Sequence, residues 1–348
     1  MTKRHGLAAG LLLLAAATAS PATADGVSGL PWLSGTSQGG GCLADLRGRP
    51  LDVLVNFVTH KSFPAMVAQT GQQLFKDTGR AAPLWAVSLP LLTDDTRRQF
   101  ALCAGGNFDP SWQAIGRNLA SAVSGEPDAT LVIRLGWEAN LASHPWGVTS
   151  PDQIQPYKDC WRRAAAQLKA GAATAAPDVR LQLEWTNAKK TPNTAIRVLD
   201  MYPGDDVVDL WGVHYYDSGP IMNTQPRWDA AYRRTFNGGP WGLGAWFQAA
   251  TTPVEQGGHG KRLAVSEWGV WQRGGQTAAA ADDPVYVHNM WQFFQANAAS
   301  IAYESYLSSA GHALCPNTSY PNAAAQYRAD WQPPASARRA AGARAGAR

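Results

Sequence analysis

The sequence is short of charge and short of the motifs that announce most chemistries. Asp, Glu, Lys and Arg together make up only 16% of its 348 residues, while 45% are hydrophobic; that balance excludes a disordered chain. Beyond the N-terminus no apolar run approaches the roughly 20 residues that span a bilayer, which excludes a membrane bundle. Neither GxGxxG nor GxxxxGKS/T occurs, so no phosphate-cradling loop is expected. The seven His (His5, His60, His144, His214, His259, His288, His312) show no HxH or HExxH spacing, and the four Cys form no CxxC pair; no metal or other cofactor is expected. A GxSxG elbow around Ser266 is missing, which speaks against a serine hydrolase. Strong basicity is missing too. The net charge of +4 comes from the ends: residues 1–24 hold Lys3 and Arg4, and residues 332–348 hold Arg338, Arg339, Arg344 and Arg348, with no acid in either. Without these six, 24 basic groups face 26 acidic ones, and nucleic acid is not the expected partner.

What the chain does have is tryptophan, 15 of them. Indole faces stack on sugar rings, which raises the expectation of a carbohydrate ligand, although they also fill cores. The N-terminus has the form of a secretory leader over 1–24: a charged start, an apolar run Leu7–Ala17, and Ala22-Thr23-Ala24 before Asp25. The expected product is a secreted or periplasmic protein with no membrane span. An even number of Cys in an exported chain points to two disulfides, with three connectivities open at this stage.

Short apolar runs alternate with amphipathic ones over 25–331. Strands are expected at Leu30–Leu33, Leu51–Val58, Pro83–Leu89, Thr130–Leu135, Val179–Trp185, Val207–His214, Arg262–Glu267 and Ile301–Tyr306. Several are apolar almost throughout, as buried parallel strands are. Helical patterns lie between them at Phe63–Phe75, Pro110–Ala122, Ile154–Ala170, Gly244–Ala250 and Asp283–Ala296. Eight such strands predict a single-domain α/β (β/α)8 TIM barrel, with an open doubly wound sheet as the second reading. The segment 332–348 has no bulky apolar residue after its prolines and is expected to be a disordered tail.

In this architecture the chemistry sits at the C-terminal ends of the strands. Strand four ends in Trp137-Glu138-Ala139-Asn140 and strand seven in Glu267-Trp268-Gly269. Two rim carboxylates on opposite sides of a barrel mouth are what a retaining glycosidase needs, one protonated to release the leaving oxygen and one ionised to attack. Glu304, ending strand eight, is a reserve carboxylate, and Glu184 is expected to pair inside the barrel.

On these residues the sequence resembles glycoside hydrolase family 26, within the clan of retaining (β/α)8 glycosidases. Arg134-Leu135-Gly136-Trp137-Glu138-Ala139-Asn140 is similar to the family's Arg-x-x-His-Glu-x-Asn segment, and Ser266-Glu267-Trp268-Gly269 to its nucleophile motif. Trp185-Thr186-Asn187 followed by Tyr202-Pro203-Gly204-Asp205-Asp206 is similar to its fifth-to-sixth strand passage. The resemblance implies a general acid/base at Glu138 and a nucleophile at Glu267, no cofactor, and a polysaccharide substrate. It implies that Tyr216 bonds the nucleophile, with Tyr215 the neighbouring candidate, and that Arg134 sits below Glu138. Asn140 is placed to orient the acid/base or to touch sugar. Trp137 stands where family mannanases carry His, so a mannan-like polymer and a bacterial exopolysaccharide are both open. Trp146, Trp185 and Trp268 are candidate sugar platforms, and His214 is a candidate hydroxyl partner. A polysaccharide-binding barrel without turnover is the alternative function, and the chain is expected to act as a monomer. Strand order narrows the disulfides: Cys42 and Cys315 follow strands one and eight, and Cys103 and Cys160 flank strand four, so Cys42–Cys315 and Cys103–Cys160 are expected.

Overall fold

Eight parallel strands close on themselves in chain order in the computed structural model, with helices outside them. They are β1 (Ser34–Ser37), β2 (Val53–Phe57), β3 (Leu84–Leu89), β4 (Thr130–Leu135), β5 (Arg180–Ala188), β6 (Leu210–Asp217), β7 (Arg262–Val270) and β8 (Ile301–Leu307). The structure describes residues 26–333 except 39, 73, 75–83, 127–128, 192, 273–276, 310 and 317–318. The expected leader over 1–24 and all but Gln332 and Pro333 of the expected tail lie outside the described residues. Among the described residues no helix is long and apolar enough to cross a membrane.

β1 is displaced from its expected place at Leu30–Leu33 to Ser34-Gly35-Thr36-Ser37, which has no apolar signature. The segment can be buried because its hydroxyls find partners. Thr36 donates to the Tyr306 carbonyl at 2.7 Å, and the Ser37 and Ser305 hydroxyls meet at 2.7 Å. At Gly35 a side chain would overlap the Val53 carbonyl, so only glycine fits there. The other strands fall close to expectation, with β5, β6 and β7 running further toward the mouth. The five expected helices are present, the longest at Ile154–Ala175. Gly40–Arg47, Gln225–Tyr232 and Pro321–Trp331 are additional helices, and among the described residues β5 is followed only by a short 3₁₀ turn at Val198–Met201.

Two cores result. Val53, Val55, Ala86, Val132 and Ala264 fill the barrel interior. A larger layer between strands and helices takes most of the aromatic residues, and eight indoles have under 2% exposure. Tryptophan in this chain is therefore mainly core. Both expected disulfides are present, Cys42–Cys315 and Cys103–Cys160, with Cα separations of 6.0 and 5.0 Å. The first ties the ends of the barrel together.

Beyond the mouth, Asp217 closes β6 and Asp283 caps the helix Pro284–Ala296. Asp217 Oδ1 accepts from the Met222 amide at 2.7 Å, and Asp283 Oδ1 from the Tyr286 amide at 2.9 Å. Burial pushes Asp217 up to about 8, the charge of Asp283 adds to it, and the nearby Lys189 only partly offsets it. Asp283 is raised as well, again chiefly by burial. The folded pair thus holds a proton that the unfolded chain releases near pH 4. The stabilisation is full below that range and is lost as pH rises toward about 8. Melting temperature measured against pH should therefore fall between pH 5 and 8 in the wild type and fall less in Asp217→Asn. Parallel profiles would contradict a shared proton.

Candidate active site

Arg134, on β4, is fully buried and points into the mouth of the barrel. Its Nη1 donates to Ser88 Oγ at 2.8 Å, its Nη2 to Glu267 Oε1 at 2.6 Å and also to His214 Nε2, and its Nε faces Glu184 Oε1 at 3.7 Å. Burial alone would lower its pKa, but the surrounding carboxylates, Glu267 foremost, raise it beyond the ordinary arginine value. The expected position below Glu138 is corrected: the guanidinium binds Glu267 and reaches Glu138 only through His214.

Glu267 faces inward because β7 is bulged. Gly212 pairs with Ala264 but His214 pairs with Glu267, so β7 advances three residues while β6 advances two. Without the extra residue, the alternation set by Ala264 would turn Glu267 outward and Trp268 inward. The carboxylate takes a second hydrogen bond, from Tyr216 Oη at 2.6 Å to Oε2. Burial and the Glu267 charge push the Tyr216 phenol well above its ordinary value, so it stays a donor.

Glu138 reaches the same space by a different irregularity. It lies in a tight turn after β4 with φ of 52°, a left-handed conformation that few non-glycine residues adopt. Its amide is anchored to the Thr186 carbonyl at 2.9 Å. Oε1 meets His214 Nδ1 at 2.8 Å and Oε2 meets His144 Nε2 at 3.1 Å. Burial pushes the carboxyl up, but the charge of His214 and the hydrogen bonds of both imidazoles pull it further down, to a net position below the usual carboxylate range. The guanidinium fixes the His214 tautomer. Nε2 accepts from Arg134, so the proton sits on Nδ1 and is donated to Glu138. Nε2 also lies 3.3 Å from Glu267 Oε1, so one imidazole stands between the two carboxylates.

Both glutamates open into a cleft of about 480 Å³, also lined by Lys189, Lys190, His214, Tyr216, Trp271 and His312. His312 Nδ1 lies 2.9 Å from the Val270 carbonyl, and burial lowers its pKa. Its neutral ring packs 4.9 Å from that of Tyr216 and 5.4 Å from that of Trp271.

Glu138, Glu267, Arg134, His214 and Tyr216 are thus brought together. Several other expected site residues are not. Trp146, Trp185 and Trp268 have no exposed surface, so no face is open for a sugar. Trp185 packs on Tyr202 and Trp211, Trp268 donates to Glu304, and Trp146 donates to the Trp137 carbonyl while stacking on His144. Trp137 lies against Phe57 and Trp146 with 8% exposure. Tyr215 turns toward Met222, as strand alternation requires. Asn140 clamps the turn to β5 through both the amide and the carbonyl of Ala188, and is buried. Glu304 is fully buried outside the barrel between Ser34, Trp268 and Trp331, and burial raises its pKa, so it cannot serve as the reserve carboxylate. His144, Lys189, Lys190, Trp271 and His312 were not among the expected site residues. Lys189, Lys190, Trp271 and His312 share a signal of position, each within five residues after a strand end, whereas His144 lies nine residues beyond β4.

Room for the buried ion pair depends on Gly212. A Cβ there would overlap Glu184 Oε1 and Thr186 Oγ1. Gly212→Ala should cost about 1–3 kcal/mol as overpacking does, read as a lower melting temperature. A wild-type melting temperature would show that Glu184 is free to move aside.

No family model matches the sequence. No curated protein matches it either. Among solved structures the backbone is similar to a modular endo-β-1,4-mannanase of glycoside hydrolase family 26 from Cellulomonas fimi, with TM-score 0.61 and 16% identity, over 87% of this chain and 71% of that one. It is similar to GH26C from a Muricauda species, with TM-score 0.59 and 15% identity, over 86% and 84%. It is also similar to the mannanase man26 of Bacillus subtilis, with TM-score 0.54 and 14% identity, over 87% and 86%. The chain shares the (β/α)8 fold of these family 26 proteins.

Proposed function

We propose that this chain is a secreted, retaining endo-β-glycosidase that cuts a polysaccharide, mannan-like or bacterial, by double displacement. The observation that carries the reading is the unequal pair of rim carboxylates. Glu267 is held by a guanidinium and a phenol, both of which bind its ionised form. It is the nucleophile. Glu138 is held by two imidazoles, which can carry or give up a proton. It is the acid/base. In the open cleft the two imidazoles hold the Glu138 carboxyl below its usual range. A sugar that fills the cleft deepens the burial of Glu138, the one influence there that raises its pKa, and so favours the protonated form that an acid needs.

The steps follow from those roles. Glu267 attacks the anomeric carbon as Glu138 protonates the departing oxygen. Glu138 then removes a proton from water, which releases the sugar from Glu267. The leader over 1–24 and the two disulfides fit an oxidising compartment. The working unit is residues 25–331, acting as a monomer with no cofactor. Two of the structural relatives are mannanases, which supports a β-linked polymer.

Reducing-end release from β-mannans, β-xylans, β-glucans and bacterial exopolysaccharides tests the reading. Glu267→Ala should abolish release from whichever polymer the wild type cuts. Glu138→Ala should lose about 10²–10⁴-fold on the polymer, as loss of general acid catalysis does, but far less on an activated aryl glycoside whose leaving group needs no proton. Retention of a polymer on an affinity gel without any release would instead support a binding barrel.

A further inference from the structure

Away from the two glutamates, the charge around the cleft is one-sided. The first part of the segment after β5 (189–197) and the segment after β6 (218–240) carry Lys189, Lys190, Arg197, Arg227, Arg233 and Arg234 against a single acid, Asp229. This wall is strongly basic in a body that has slightly more acids than bases.

Lys189 is committed to the fold: its Nζ donates to the Tyr216 carbonyl and lies 5.0 Å from the Tyr215 ring centre. Lys190, Arg227 and Arg234 are exposed, and among the described residues none of them makes an ion pair. Arg227 donates to the neutral amide of Asn223 at 2.7 Å. Lys190 lines the cleft, and its Nζ lies 5.2 Å from the ring centre of Trp241. The guanidinium of Arg234 packs on the same indole at 3.3 Å. Arg234 and Arg227 then line a second hollow of about 450 Å³ with Pro220 and Ile221. Gly219 lines the cleft and Pro220 lines the hollow, so the two spaces adjoin.

Neutral sugar hydroxyls do not call for a row of cations. Such cations repel one another, and an anion between them relieves the repulsion. Stacking on Trp241 orients the Arg234 fork, which suits a planar carboxylate or a sulfate. We propose that the hollow lined by Arg227 and Arg234, reached from the cleft past Lys190, is an outlying subsite for an acid-bearing sugar, so that the substrate is an anionic polysaccharide. This deepens the glycosidase reading and rests on it.

The test uses the full chain with Glu267→Ala, which should bind without cutting, and affinity electrophoresis in β-mannan, β-xylan and β-glucan gels. Each polymer is offered unmodified, carboxymethylated and sulfated, with duplex DNA as a control polyanion. The expected result is at least about tenfold tighter binding to an anionic form than to its parent, a preference that collapses as salt shortens the Debye length. Adding Lys190→Gln, Arg227→Gln and Arg234→Gln should bring the ratio close to one at unchanged melting temperature. Preference for the carboxymethylated form assigns a uronate-like group, and preference for the sulfated form a sulfate ester. Equal binding of parent and anionic forms, equal binding of DNA, or a triple variant that keeps the preference would overturn the subsite. Turnover by the wild-type chain separates the two claims. If it cuts parent and anionic polymers equally well, the glycosidase reading stands and the subsite fails. If it cuts nothing while the charge preference persists and the triple variant removes it, the glycosidase reading fails and an anion-binding hollow remains.

Discussion

The buried guanidinium of Arg134 is the interaction on which the rest of the mouth depends. It joins β3 through Ser88, β5 through Glu184, β6 through His214 and β7 through Glu267. Desolvating a charge is costly, and only several good partners make it tolerable. Here each partner is itself buried, so removing the cation would leave Glu184 and Glu267 uncompensated. The same contact assigns chemistry. Donation to Glu267 holds that carboxylate in the mouth, and donation to His214 Nε2 sends the imidazole proton toward Glu138.

Regular barrel geometry would not have presented the two carboxylates. β7 needs its bulge to turn Glu267 into the mouth, and β4 needs a left-handed residue at Glu138 itself. One departure lies between Ala264 and Glu267 within β7, and the other in the turn directly after β4. Strain there is tolerable because the surroundings over-determine it: the Glu138 amide is tied to β5, and Asn140 ties the following turn to β5 again.

The parts visible in the sequence were those that a local pattern encodes. Apolar runs ending in Glu marked β4 and β7, and the order of the strands was enough to pair the cysteines. β1 was invisible because its burial is satisfied by hydroxyl hydrogen bonds rather than by apolar side chains. Trp146, Trp185 and Trp268 misled because closeness to a rim in sequence does not say which side of the strand or loop an indole takes, and these three turn into the helix layer or beneath the turn. His144 was missed because it lies six positions along an irregular loop from Glu138, and no periodicity predicts where such a loop returns. The bulge in β7 leaves no local mark at all, since an apolar strand reads the same with or without an extra residue.

An unequal pair, one glutamate bound to a guanidinium and the other to imidazoles, has a stereochemical consequence. If Glu267 attacks sugar directly, each cleavage inverts the anomeric carbon twice. The decisive measurement is the proton NMR spectrum of the product recorded within the first turnovers, before mutarotation. The new reducing end should appear first in the configuration of the bond that was cut. First appearance of the opposite anomer would mean that water, not Glu267, makes the attack, and would contradict the roles assigned to Arg134 and Glu267.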